Sequence, residues 1–260
     1  MSIQTLSVLT PSQVSQYERD GYLVLPHLLT PEDARRLIDR VGDVVEERAP
    51  YDPRVAVQIE PGVRKGEAEA ASFLASLRKV EKLCIYDEVF RELASDPRLM
   101  GVATDLLAPD IKLFRDALMM KPAHHGSKKP YHQDSAYWQI DPPELGSFWI
   151  ALDEATLENG CMRVLPGSHR WGELEHTHRD DFQVDEEELD LSNEVAVPLP
   201  PGGALFFHSM LLHATSANES SRPRRAMIVS VMSAESRWTG DADRMPEFPL
   251  LHGREHPGCV

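Results

Sequence analysis

Cysteine is scarce in this sequence: Cys84, Cys161 and Cys259 are odd in number and far apart. That pattern excludes a disulfide framework and any closely spaced Cys metal site. Positive charge is also short, with 27 Lys and Arg against 42 Asp and Glu and a formal net charge of -15. Such a surface repels phosphate backbones and anionic headgroups, so neither nucleic acid nor a membrane is an expected partner. No apolar run approaches the roughly 18 residues that a membrane span needs. The opening MSIQTLSVLTPSQ shows no basic start followed by an apolar core. The expected setting is therefore a reducing cytoplasm, without a secretory leader.

What is present is a globular composition, 42% hydrophobic and 27% charged, in a chain of 260 residues. One domain over 1–260 is expected, with a helix-rich part (1–110), a barrel core (111–235) and a tail (236–260). Thr10-Pro11 and Thr30-Pro31 each set a capping hydroxyl before a proline suited to a first helical turn, and Gly21 offers a stop. The spacing of Ala34, Leu37, Ile38, Val41, Val44 and Val45 predicts an amphipathic second helix, and Tyr22 to Leu25 a short strand. Asp96-Pro97 starts a further helix, and 48–69 reads as a loop. From Ile111 the pattern changes to short runs at 111–121, 148–153, 161–165, 194–198, 204–207, 211–215 and 225–232. Asn159-Gly160 and Gly202-Gly203 supply tight turns. The predicted fold is mainly β with flanking α-helices, a double-sheet barrel of the jelly-roll type. The acidic stretch 176–190 reads as a solvated loop.

The chemistry concentrates at His132-Gln133-Asp134. In an extended segment residues two apart project to one face, so the imidazole and the carboxylate can grip one metal. His213, in an apolar run, is the natural third ligand. Two His and one carboxylate make the facial triad that suits Fe(II) and leaves positions open for a co-substrate and O₂. A 2-oxo acid such as 2-oxoglutarate would also need a cation for its distal carboxylate. Arg224, eleven residues after His213, is the first choice and Arg222 the second.

Tyr131 to Asp134, Phe148 to Leu152, Glu158-Asn159-Gly160-Cys161, Leu165-Pro166-Gly167-Ser168-His169 and the span from His213 to Arg224 resemble the phytanoyl-CoA dioxygenase family. Asp20-Gly21-Tyr22-Leu23-Val24 resembles it too, so the likeness covers most of the chain in order. The resemblance implies a double-stranded β-helix (cupin-like) core, Fe(II) at His132, Asp134 and His213, and 2-oxoglutarate at Arg224. It further implies that Gln133, Trp149 and Thr215 shape the co-substrate site. Because Asp134 is retained where halogenating relatives have a small residue, it implies a dioxygenase that hydroxylates a C–H bond, releasing succinate and CO₂.

Met119, Tyr137 and Trp138 flank the triad in sequence and are candidate substrate-pocket residues. Lys121 shares the parity of Met119 and could offer a second cation to an acidic ligand, but the favoured reading is a solvated lysine at a strand end. His208 lies an odd number of residues from His213 and would face away on a continuous strand, His169 is read as structural, and His124-His125 belong to a loop. Two rivals carry different consequences: a cupin-like metal sensor or binding protein without turnover, and a zinc hydrolase. A small-molecule substrate is expected, while its identity and the oligomeric state are not legible.

Overall fold

A computed structural model describes residues 8–179 and 181–260. Residues 1–7, part of the opening read above for a leader, and Asp180 of the acidic stretch lie outside them. The two Thr-Pro signals cap helices as the sequence predicts: α1 (Pro11–Asp20) and α2 (Pro31–Val45) each begin with a capping box, and α1 ends at Gly21. Gly21 has a φ of 79°, and a Cβ there would lie 2.4 Å from the His169 ring. Only glycine permits both the left-handed turn and that approach.

The main sheet has eight strands. Its continuous path runs β1 (Tyr22–Leu25), β12 (Ala204–His208), β7 (Gly146–Ala151), β14 (Arg224–Ser233), β4 (Ile111–Lys121), β3 (Leu77–Glu81) and β2 (Ala56–Ile59). The eighth, β16 (Leu250–His252), pairs with the start of β4. The minor sheet runs β11 (Val195–Val197), β8 (Met162–Val164), β13 (His213–Thr215) and β5 (Lys129–His132). Two short ladders remain, β6 (Ile140–Asp141) with β15 (Arg237–Trp238) and β9 (Thr177–His178) with β10 (Phe182–Gln183). All recorded pairings are antiparallel, and the fold is a double-stranded β-helix with helices on one side.

Alternation along the strands separates two cores. Phe148 and Ile150 of β7, Phe206 of β12 and Met227, Val229 and Val231 of β14 face the helices. There they meet Leu37, Val41 and Val44 of α2 and residues of the helices Glu88–Ala94 and Pro97–Leu106. Trp149, Leu205, Phe207 and Ala226 face the other way, into the space between the sheets. Burying each large apolar side chain contributes about 1.5–3 kcal/mol, so the outer core holds the sheet rigid while the inner face is left for a site.

Three expectations need correction. The span 48–69 is not a plain loop: it contains β2 and the short helix α3 (Pro61–Arg64), because pairing with β3 satisfies its backbone. The span 236–260 is not a loose tail, since β16 extends the main sheet and His256 meets the Asp110 carboxylate at 2.7 Å. The acidic span 176–190 is not a plain solvated loop among its described residues: Thr177–His178 and Phe182–Gln183 pair as the β9–β10 ladder, and Glu186 accepts a hydrogen bond from the Tyr131 amide of β5.

One buried group at the helix-facing side strains this arrangement. Asp116 on β4 accepts a hydrogen bond from the Leu83 amide at 2.8 Å, while its other oxygen has no partner. Burial pushes the Asp116 carboxyl up to about 6. The native state then keeps a proton that the unfolded chain has already released, so stability falls as pH rises from about 4 to about 6 and the cost persists above. We expect Asp116→Asn to remove that decline and to raise stability above pH 6 by about 2–3 kcal/mol, read by urea unfolding from pH 4 to 8. Parallel wild-type and variant profiles would overturn the assignment.

Candidate active site

The two sheets enclose a cavity of about 720 Å³, within the range of small-molecule sites. His132 ends β5, and Gln133 continues extended with φ -109° and ψ 134°. Alternation therefore returns Asp134 to the face of His132. His213 opens β13 directly across from His132 in the antiparallel register. The Asp134 Oδ1 lies 3.7 Å from His132 Nε2 and 4.0 Å from His213 Nε2. The three side chains lie in the cavity wall, with their donor atoms all within 4.8 Å of one another.

These atoms suit a metal ion. Ligands held at about 2 Å by one ion can be no more than about 4 Å apart, which both carboxylate–imidazole distances meet. The Nδ1 of His132 lies 2.9 Å from the Pro130 carbonyl, and that of His213 lies 2.9 Å from the Leu211 carbonyl. A carbonyl only accepts, so each Nδ1 carries the proton and each Nε2 presents a bare lone pair. Burial, and then the neighbouring His213, pushes His132 well below its usual range, and burial lowers His213 as well. Both rings are neutral, ready ligands at physiological pH.

Gln133 points away from the cavity. Its amide donates to the carbonyls of Gly172 and Met210 at 2.8 and 2.9 Å and accepts from the Leu174 amide at 2.8 Å. It is a clamp behind the ligands rather than part of the cavity wall.

At the deep end, Arg224 is 2% exposed and two of its guanidinium nitrogens, Nε and Nη1, have no partner. Burial pulls its pKa down to about 10, and the group stands 5.2 Å over the Trp149 ring. A buried cation with unmet donors is costly unless an anion completes it. Thr215, Trp149 and Lys121 line the same cavity. Lys121 is buried, not a solvated strand end, with its ammonium on the Ser127 carbonyl. Arg222 lies outside: it is exposed and pairs with Glu154 at 3.1 Å. Met119 and Tyr137 line the cavity, whereas Trp138 packs on Phe114 at 4.6 Å in a separate apolar cluster.

The continuous strand expected for His208 and His213 is not formed: β12 ends in the main sheet and β13 begins in the minor one. His208 faces His169 and Tyr17. Arg224 and His213 are also on different sheets, β14 and β13, and both line the cavity. Sequence reasoning missed Arg78, Lys129, Asp181, Glu60 and Arg115, all in the cavity wall. Arg115 shares the parity of Met119 and Lys121 on one strand, a signal that was available; Asp181 had none.

A profile of the phytanoyl-CoA dioxygenase family matches residues 17–226. The chain belongs to the phytanoyl-CoA dioxygenase family. Family and triad together make it an enzyme of the Fe(II)- and 2-oxoglutarate-dependent oxygenase class. L-proline trans-4-hydroxylase of Streptomyces griseoviridis is 29% identical over 239 residues, 83% of each chain. Phytanoyl-CoA dioxygenase domain-containing protein 1 of Danio rerio is 25% identical, spanning 95% of this chain and all of its own. Among solved structures, EctD from S. alaskensis with 2-oxoglutarate and 5-hydroxyectoine aligns with a TM-score of 0.74 at 24% identity, covering 96% of this chain and 86% of that one. No helix among the described residues is long and apolar enough to cross a membrane.

The Gln133 clamp yields a test. We expect Gln133→Leu, which keeps the bulk and removes three hydrogen bonds, to cost about 2–4 kcal/mol and to weaken metal binding about tenfold. Thermal unfolding with and without Fe(II) checks this. A variant with wild-type melting and metal affinity would show that the clamp holds nothing.

Proposed function

We propose that the chain, acting as one unit, hydroxylates an unactivated C–H bond of a small organic molecule in a reducing cytoplasm. His132, Asp134 and His213 would hold Fe(II), and Arg224 would bind the distal carboxylate of 2-oxoglutarate. The observation that carries the reading is the pairing in one cavity of a cluster of two neutral imidazoles and one carboxylate with a buried arginine two of whose nitrogens are unmet. A zinc hydrolase would have no use for that arginine, and a sensor would not need a co-substrate end. The three free cysteines suit the reducing setting.

Bound Fe(II) and 2-oxoglutarate supply the oxidising chemistry, in which O₂ gives one atom to the C–H carbon and one to succinate as CO₂ leaves. The chain's own residues do the rest. Asp134 supplies the one anionic ligand, and the Pro130 and Leu211 carbonyls fix which nitrogen each imidazole presents. Arg224, over Trp149, provides a fork for a carboxylate in a site from which water is largely excluded. Thr215 and Trp149 would help shape the co-substrate site, and Met119 and Tyr137 would line the substrate pocket in the same cavity.

The decisive experiment is anaerobic titration of the Fe(II) protein with 2-oxoglutarate, watching for a visible metal-to-ligand charge-transfer band. A saturable band lost in His213→Ala supports the reading, while bound iron with no band moves it to the sensor. Asp134→Ala is expected to abolish coupled product formation; a variant with full turnover refutes the ligand assignment. Arg224→Ala should raise the 2-oxoglutarate concentration for half-saturation about tenfold to a hundredfold. Arg222→Ala should leave it unchanged.

A further inference from the structure

Seven cationic side chains line the cavity against three carboxylates, in a protein whose overall charge is -15. The carboxylates are already engaged. Asp134 sits in the triad, Glu60 accepts from the Ser127 hydroxyl at 2.9 Å, and Asp181 is shared between Lys129 at 3.0 Å and Arg78 at 3.1 Å. Lys79 is met by Glu81 at 2.7 Å, and Arg64 is exposed at the rim. Arg115 remains. It is half-buried, its guanidinium has no side-chain hydrogen bond or ion pair among the described residues, and the nearest aromatic face is Trp138, 6.0 Å away. Its charge is felt by the neighbouring Lys79 ammonium, which burial and then Arg115 lower, with Glu81 and Asp134 acting against them.

The register places Arg115 apart from the co-substrate end. Arg224 pairs with Lys121, while Arg115 pairs with Ser230, six residues along β4 and roughly 20 Å away by backbone. Across the sheet Ser230 pairs with Ser147, and Ser147 with Phe207, whose ring lies 4.7 Å from that of His213. Arg115 is thus level with the triad. One end of 2-oxoglutarate belongs at the triad and the other at Arg224, so neither is left for Arg115.

We infer that the primary substrate is a small organic acid whose carboxylate is bound by Arg115 while its apolar body lies against Met119, Ile228 and Tyr137. This rests on the proposed oxygenase reading and names its substrate class. Val57 and Ile59, apolar and 41% and 39% exposed on the edge strand β2, continue the apolar wall to the rim. Arg115 is a specificity residue: it fixes the acid end, and the length of the body sets which carbon reaches the triad.

The test titrates L-proline, hexanoate, 3-methylbutyrate and phenylacetate, each beside its primary amide, into the Fe(II) and 2-oxoglutarate-loaded enzyme under argon and into the unloaded protein, by calorimetry. At least one acid should bind, and its amide should bind about tenfold more weakly or worse. Arg115→Met should erase that difference and Arg115→Lys keep part of it, with the charge-transfer band and circular dichroism unchanged in both. Saturable binding of no acid, equal binding of acid and amide, or an indifferent Arg115→Met each overturns the inference. Should Arg115→Met not fold, the wild-type comparison of acid with amide decides alone. Loss of the 2-oxoglutarate band with acid binding intact sinks the oxygenase reading and leaves Arg115 standing.

Discussion

The interior of this barrel carries more positive charge than its own carboxylates neutralise, and much of the structure exists to hold that imbalance in place. Two of the three guanidinium nitrogens of buried Arg224 have no partner in the protein. A side chain left free would swing out to water, because a buried unmet cation costs several kcal/mol. It is held by its position at the start of a ten-residue strand paired on both sides, and by Trp149 beneath it. The unmet donors amount to a stored preference for an anion.

That preference is affordable only because the other side of the same sheet is ordinary. Phe148, Ile150, Phe206, Met227, Val229 and Val231 are buried in one apolar core with the helices. Phe148 and Ile150 flank Trp149, Phe206 precedes Phe207, and Met227 and Val229 flank Ile228 of the cavity wall, so the strand period splits stability and function between two faces. Gln133 repeats the logic on a smaller scale: flanked by His132 and Asp134, it turns outward and ties three backbone groups together behind the ligands. Rigid ligands make for a site that does not have to reorganise when a metal enters.

Much of this was legible in particular residues. The Thr-Pro caps, the short runs after Ile111 and the change of period marked the helices and most of the strands, since these signals are local. His132, Asp134 and His213 were legible through ligand chemistry and family likeness, and the structure brings their donor atoms together. Edge elements were not: β2 and β16 lack a strong pattern of their own and exist because a neighbour satisfies their backbone. Lys121 looked like a strand-end lysine because nothing local announces that Gly160 and Ser127 close over it.

By itself, then, the sequence determined the local matters: where helices start, which strand residues alternate, that one carboxylate stands two residues from a histidine, and that the chain is acidic overall. Only the tertiary structure decided which of those residues meet. Arg222 and Arg224 share a parity, yet one pairs with Glu154 at the surface and the other is sealed in the interior. Met119 and Trp138 both flank the triad in sequence, yet only Met119 reaches the cavity. The physical reason is that a side chain's environment is set by pairing register and by the closure of two sheets, which are long-range contacts that no local window of sequence contains.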